Sequence, residues 1–418
     1  MNFPLFIARR LSLKPDRRKA FSPGVVVGIV GVTLSVAIML LSISVVKGFK
    51  QEIAEKLVGF NSDIMVFAPE DAEQPAITSG LRLSDSLKSI IEEAAPGSRA
   101  DLIIRQPAIF KTDTDFQGII LKGLPKGDAW QFYGLNLTQG KLPDPADEDY
   151  PNQAVVSSVT ASQLGVKVGD KLTTHFLNDE SLRTRRLTVT GIYDSHFHDF
   201  DRSIALTPLE MLQQLSRVDS IVGTMIEIRG VDIDKTPETV ERLSSLTLNA
   251  TLEKPENPMV YRIESILKIC SQYFNWLDLL DTNVIVIIIL MACVSGFTLI
   301  SSLFIIILER VNTIGLLKAL GSPNVQIRRI FIYMAQRLVI AGLIVGNLIT
   351  LLVIWLQRTY RLIPLDPEAY YLNYVPMEIS WQDFAIVNVS AIVIAILILI
   401  LPSHMIATLS PARSMRYE

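Results

Sequence analysis

The sequence predicts a membrane protein with four transmembrane α-helices and a large mixed α/β extracytoplasmic domain between the first and second spans. Three observations carry this: four long apolar runs, a sharp segregation of charge, and strand-like alternation through the long segment that separates the first two runs.

The chain has 418 residues, 49% of them hydrophobic, and a mean hydropathy of +0.36. Apolar runs fall at 23–46, 284–308, 331–356 (uninterrupted from Leu338) and 384–402. Each approaches the ~20 residues needed to cross a ~30 Å hydrocarbon core. A basic stretch (Arg9, Arg10, Lys14, Arg17, Arg18, Lys19) precedes the first run, which is longer than a signal-peptide core and lacks an A-x-A site after it. It reads as an uncleaved anchor.

Charge sets the expected orientation. Residues 47–277 hold 24 Lys and Arg against 33 Asp and Glu, a net of −9. The segment before Pro23 has six basic residues and one acid, Asp16, and the connection between runs two and three carries Arg310, Lys318, Arg328, Arg329 and Arg337 against Glu309. Basic loops stay in the cytoplasm. Residues 1–22, 309–323 and 403–418 are therefore expected inside, with 47–277 and 357–383 outside and Trp276, Trp355 and Trp381 at the outer interface.

At the start, Leu5, Phe6, Ile7, Leu11 and Leu13 interleave with Arg9 and Arg10, which fits either a helix in the inner headgroup layer or a flexible basic tail. After span one, Val46, Phe49, Ile53 and Leu57 keep a helical period, so the helix should continue outward as a stalk. Ile263, Ile266, Leu267, Cys270, Phe274 and Leu277 predict a second helical stalk running into span two. On one continuous helix Cys270 and Cys293 would lie ~35 Å apart, too far to pair.

Between the stalks, alternation predicts strands near 63–67, 103–111, 117–122, 171–176, 186–193 and 224–229, and helices at 84–94, 208–215 and 237–246. The Pro- and Asp-rich stretch 143–151 reads as an exposed loop or a seam between subdomains.

Enzyme chemistry is hard to find. No G-x-x-x-x-G-K-[ST] cradle occurs, and no set of nucleophile, base and oxyanion donors can be assembled. His196, His198, Asp199 and Asp201 form a candidate metal half-site if the segment is extended, against the plainer reading of an exposed loop. Asp278 and Asp281 precede span two, where water solvates them. Gly24, Gly28 and Gly31 in span one, with Gly342 and Gly346 in span three, have the small-xxx-small spacing of close helix packing. No span holds a charge deep in its core, which disfavours ion-coupled transport. No metal, no cofactor and no nucleic-acid partner is expected for this chain.

The segment 309–323 carries the sharpest local signal. Asn312 reads as a cap, Thr313 to Leu320 as two helical turns with Ile314 and Leu317 on one side, Gly321 as a left-handed terminator, and Ser322 and Pro323 as the N-cap and first residue of the next helix. An apolar face with Gly315 beside it suits insertion into a cleft on a cytoplasmic partner, or a helix resting on lipid.

This segment resembles the E-R-x-x-x-I-G-x-L-K-A-L-G element of the MacB/FtsX/LolC-LolE (type VII) ABC permeases, with Glu309, Arg310, Ile314, Gly315, Leu317, Lys318, Ala319, Leu320 and Gly321 in place. The tail resembles that family's ending through Pro411, Ala412, Arg416, Tyr417 and Glu418. The lipoprotein-releasing branch is the most similar, by Pro4 to Arg10, Val45 to Phe49 and Tyr370 to Pro376. Residues 153–172 resemble the family's outer domain, implying a porter-like part with an inserted subdomain near 131–220.

The resemblance implies a bacterial inner-membrane subunit that is not itself an enzyme. It would pair with a second copy or a paralogue on a cytoplasmic ABC ATPase dimer that binds ATP and Mg. The role implied is extraction of lipoproteins from the outer leaflet of the inner membrane and transfer to a periplasmic carrier. Glu309, Arg310, Ile314, Gly315, Leu317, Lys318, Ala319 and Gly321 would couple to the ATPase, and Val36, Met39, Leu40 and Ile43 would line a cavity for acyl chains. The stretch 177–185 is short and polar where that branch carries a long hairpin that hooks the carrier. MacB-like efflux and FtsX-like signalling are the alternative roles.

Overall fold

The structure is a computed structural model that describes residues 23–68, 80–113, 115–178, 181–253 and 260–403. The expected N-terminal interfacial segment and the family-like tail lie outside the described residues. Contacts divide the chain into two compact units, one formed by residues 52–276 with 365–373 and the other by the remainder.

The first unit is built on twelve strands: β1 (Ile64–Phe67), β2 (Leu81–Arg82), β3 (Arg99–Lys111), β4 (Phe116–Leu124), β5 (Leu137–Gly140), β6 (Gln153–Ser157), β7 (Lys171–Asn178), β8 (Ser181–Tyr193), β9 (Ile204–Pro208), β10 (Val222–Gly223), β11 (Met225–Arg229) and β12 (Arg262–Ser265). Ten of them form one sheet in the order β12-β1-β11-β3-β4-β9-β6-β8-β5, with β7 pairing both β3 and β8, while β2 and β10 pair apart. The β4/β9 and β6/β8 pairs are parallel, which requires crossovers rather than tight turns. All six expected strands are present. The short strands β2, β5, β6, β9 and β10 are additional, and so is β12, which replaces part of the expected second stalk.

That last difference has a clear cause. Ile263 and Ile266 have helical spacing, but Ile263 pairs with Val66 at the edge of the sheet, and edge pairing overrides the local period. A helix of one turn, Ile266–Ile269, follows, and the long helix starts only at Ser271. Cys270 therefore sits at a break rather than on one helix with Cys293. It is buried beside Asn61, whose side-chain nitrogen lies 3.6 Å from its sulfur, and both cysteines are free.

Helices cover the sheet where the sequence places apolar stripes. Asp85–Ala94 begins with Ser84 accepting from the Leu87 amide at 3.2 Å and buries Leu87 and Ile91 in the same cluster as Leu243 of the helix Thr236–Glu253. Leu209–Ser216 packs so tightly that a Cβ on Gly123 of β4 would stand 2.9 Å from Leu212.

Among the described residues, four helices are long and apolar enough to cross a membrane, and the second unit holds all or most of each: Pro23–Asn61, Ser271–Glu309, Asn324–Tyr360 and Trp381–Leu399, the last continuing to Ser403. The first runs without interruption past the expected span to Asn61, and the division between the units falls within it. Small residues let the helices touch. A Cβ on Gly28 would sit 2.5 Å from the Ser302 hydroxyl, and one on Gly342 would sit 2.7 Å from Val32. The Thr33 hydroxyl donates to the Gly342 carbonyl at 3.2 Å, and Asn347 and Asn388 exchange side-chain bonds at 2.7 and 3.2 Å. Polar pairing of this kind holds helices together where the hydrophobic effect does not act.

Candidate functional site

The connection between the second and third long helices forms a separate helix, Val311–Ala319. Its ends differ from the expected ones: Arg310, not Asn312, precedes it, and Pro323, not Ser322, is the N-cap of Asn324–Tyr360. Gly321 takes the left-handed conformation, φ +85°, as its position after a helix end demands. The face is also reversed. Ile314 and Gly315 are buried within the chain, and Ile314 joins the core formed with Ile327, Ile330 and Phe331. The helix period fixes the consequence, because seating Ile314 and Leu317 inward turns Leu316 and Leu320 outward, 60% and 73% exposed. Glu309, Ala319 and Gly321 are exposed as well, while Arg310, Leu317 and Lys318 are half-buried.

The four residues expected to line a cavity separate. Val36 and Met39 border a cleft of about 30 Å³ with residues of the other three long helices, among them Ile288, Val339 and Ala391. Leu40 is fully buried in the helix core and Ile43 packs against it, so neither borders the cleft. That volume holds a water or two and no acyl chain.

Lys50 bonds Asp278 at 3.0 Å and Asp281 at 2.6 Å, so the two carboxylates are paired as well as solvated. The His196 segment is a tight turn rather than a strand. His196 has φ +59°, His198 begins a one-turn helix, and Asp201 is buried, accepting from the Ser195 hydroxyl at 2.7 Å and its amide at 3.2 Å. Burial, partly offset by those bonds, pushes the Asp201 carboxyl up to about 6. Among the described residues no group of three or more His, Cys, Asp or Glu could hold a metal.

Sequence reading missed the charge cluster where the first helix ends. Glu227 of β11 is fully buried, and three cations meet it: Lys122 Nζ at 2.7 Å, Arg105 at 3.0 Å and Arg229 at 2.9 Å. Each cation also reaches the last carbonyls of the helix. Lys122 donates to Phe60 O at 2.7 Å, Arg105 to Phe60 O at 3.2 Å, and Arg229 to Gly59 O at 3.5 Å. The negative end of a helix dipole, worth about half a charge, thus supplies part of what one carboxylate lacks. Burial alone would raise the Glu227 pKa, but the three cations outweigh it and hold the carboxyl below its usual range. Burial brings Lys122 down to about 7 despite Glu227, with the two guanidiniums adding to the fall. Around this cluster Phe60 stacks on Phe200 at 4.8 Å and meets Phe132 and Tyr133 edge-on. The available signal was a Lys in one apolar strand and a Glu in another, on faces that alternation assigns to solvent.

Comparison with known proteins agrees with this architecture. The MacB-like periplasmic core domain family matches residues 26–244, and the FtsX-like permease C-terminal family matches residues 285–411. The chain is 22% identical over 438 aligned residues to the lipoprotein-releasing system transmembrane protein LolC of Xylella fastidiosa (strain 9a5c), with 99% of each covered. It is 23% identical over 430 to the corresponding LolE of Haemophilus influenzae, again with 99% of each covered. Among solved structures, the periplasmic region of MacB from Actinobacillus actinomycetemcomitans aligns with 53% of this chain and 97% of its own, at 14% identity and a TM-score of 0.34. Matched over more than half its length by one family and over most of the remainder by the other, the chain belongs to the MacB/FtsX-like family of ABC transporter permeases.

Proposed function

We propose that this chain is the permease subunit of a bacterial inner-membrane ABC complex that uses ATP hydrolysis by a separate ATPase to extract lipoproteins and pass them to a periplasmic carrier. The observation that carries the reading is the helix Val311–Ala319, seated by Ile314 and presenting Leu316 and Leu320 outward. Exposed leucines on a short helix fixed at both ends suit a hydrophobic cleft on an ATPase, with Glu309, Arg310 and Lys318 at its rim. ATP and Mg belong to that partner. The charge distribution supports cytoplasmic termini and a periplasmic domain.

Full-length similarity to proteins named for lipoprotein release supports the cargo. Withdrawing an acyl chain from a bilayer costs about 0.8 kcal/mol per CH₂, so a multiply acylated protein needs a powered step. Because the cleft beside Val36 and Met39 is small, acyl chains would enter only after the spans part, with a second copy or a paralogue completing the cavity.

A specific observation favours a second reading. Asn178 pairs directly with Ser181 at the end of the β7–β8 hairpin, with two residues between them in sequence. A hairpin this short offers little to hook a carrier, and MacB-like efflux needs none. FtsX-like signalling ranks behind both. Affinity purification of the chain from native membranes decides among them. Release predicts a co-purified ATPase and a triacylated protein bound in the nucleotide-free state, whereas an ATPase with no triacylated protein moves efflux ahead.

A further inference from the structure

Residues 365–373 lie between the third and fourth long helices in sequence, yet they pack as part of the unit that holds the sheet. The segment is internally ordered. Leu365 N donates to Asn373 O at 2.9 Å, Asp366 accepts from the Glu368 amide at 3.1 Å, and the Tyr371 amide closes the turn on Pro367 O at 2.9 Å. Its own hydrogen bonds tie it together.

Tyr371 holds it in place. Its backbone is left-handed, φ +60°, as the C-cap of the one-turn helix Pro367–Tyr370. Four contacts fix its side chain and carbonyl. Its ring stacks on buried Phe197 at 4.5 Å and 11°, and meets Tyr273 edge-on at 6.0 Å. Its hydroxyl donates to Asp199 at 3.3 Å, the carboxylate that also accepts from Tyr273 at 2.7 Å. Its carbonyl accepts from Lys56 of the first helix at 2.9 Å, and the same ammonium donates to Ser195 O at 2.7 Å. One tyrosine thus joins the first stalk, the 195–201 turn and the approach to the second long helix.

Four residues separate the segment from Tyr360 and seven separate it from Trp381, and the end of the third long helix holds the longer connection, Gln357 donating to Val375 O at 2.9 Å and Arg358 to Met377 O at 2.8 Å. A trans chain reaches at most ~3.6 Å per residue, so connections this short and tied in this way limit how far the segment can move apart from the two helices.

We propose that residues 365–373 are a strap, latched by Tyr371, that couples movement of the 195–201 turn and the first stalk to the third and fourth long helices, beside the direct path that the uninterrupted helix Pro23–Asn61 offers. This rests on the reading of the chain as an ATP-driven permease. The latch explains features that packing alone leaves idle: the carboxylate shared by two hydroxyls and the lysine shared by two carbonyls.

The test uses the full permease assembled with its ATPase in lipid nanodiscs, as wild type, Tyr371→Phe and Tyr371→Ala. Hydrogen exchange is followed without nucleotide and after trapping with ADP and vanadate, and ATP consumed per palmitate-labelled lipoprotein released is measured. Wild type should change exchange at 195–203 and 365–373 together on trapping. Tyr371→Ala should speed exchange at 365–373 by about tenfold before trapping and separate the two responses, with Tyr371→Phe, which keeps the stack and the carbonyl bond, falling between. The ATP consumed per release should rise about threefold or more in Tyr371→Ala, a readout that a purely structural role would not move. Unchanged exchange at 365–373 in Tyr371→Ala, or faster exchange with an unchanged ratio, overturns the strap. A wild-type complex that hydrolyses ATP and releases no lipoprotein sinks the release reading alone, and the exchange responses then decide the strap.

Discussion

Replacing Glu227 with Gln leaves the shape of the site and removes its one negative side chain. Lys122, Arg105 and Arg229, now at 2.7–3.0 Å from that carboxylate, would face one another with neutral acceptors, among them the carbonyls of Gly59 and Phe60 and the Asn61 side-chain oxygen, but no carboxylate between them. Removing one partner of a buried ion pair costs about 3–5 kcal/mol, because the remaining charge stays desolvated. The loss should depend on pH in a fixed direction. Lys122 already sits near 7 with the carboxylate present and falls further without it. A base whose folded pKa lies below its unfolded value penalises the fold while it must be protonated, and the penalty lifts as pH rises toward the unfolded value. Glu227→Gln should therefore be more destabilised at pH 6 than at pH 8. Hydrogen exchange on the detergent-solubilised full chain reads this at the amides of Met225–Arg229, where a loss of 3–5 kcal/mol is about two to four orders of magnitude in rate. Adding Lys122→Met should recover a large part of it. A loss below about 1 kcal/mol, or a greater loss at pH 8, would refute the account of the cluster.

Further outcomes follow from other sites. Asp201 has a folded pKa near 6, above its unfolded value, so its contribution is fully present below about pH 4 and lost as pH rises through 6, up to about 3 kcal/mol. Asp201→Asn should remove that slope from the variant's own curve of stability against pH, and a slope identical to wild type contradicts it. Gly342→Val places a branched side chain against Val32 and should cost about 1–3 kcal/mol or more, read as a lower melting temperature in detergent, whereas Gly118→Ala, with nothing within 4 Å, should stay within about 0.5 kcal/mol. Leu316→Asp alters an exposed position and should leave melting unchanged while weakening ATPase co-purification about tenfold or more. Retained co-purification would show that this face does not dock.

How much was legible depended on whether the signal was local. The spans and their charge bias are sums over twenty residues, and β3, β4, β7, β8 and β11 each show alternation or a dense run of β-formers. The strands β6 and β9 left no such trace, because both faces are buried and every position of Gln153–Ser157 and Ile204–Pro208 is inside. For β12 a period of three or four misled, since Ile263 and Ile266 serve a strand and then a one-turn helix. In the helix 311–319 the period was right and the face wrong. One apolar stripe cannot say whether it meets its own chain or a partner, and the packing of Ile314 against Ile327 and Phe331 settles which side remains outside. The Glu227 cluster and the Tyr371 latch were out of reach for a different reason: Lys122 and Glu227 lie 105 residues apart, and Asp199 and Tyr371 lie 172 apart.

The account turns on ATP-driven release through the outward face of the helix 311–319. Proteoliposomes holding the chain with its ATPase and a palmitate-labelled lipoprotein measure it directly, with wild type beside the Leu316→Asp, Leu320→Asp double variant. Wild type should release labelled lipoprotein with ATP and not with a non-hydrolysable analogue, and the double variant should fall to about one tenth or less, in line with loss of an interface hot spot. Equal release by the two chains, or none from wild type under conditions of active ATP hydrolysis, would contradict it.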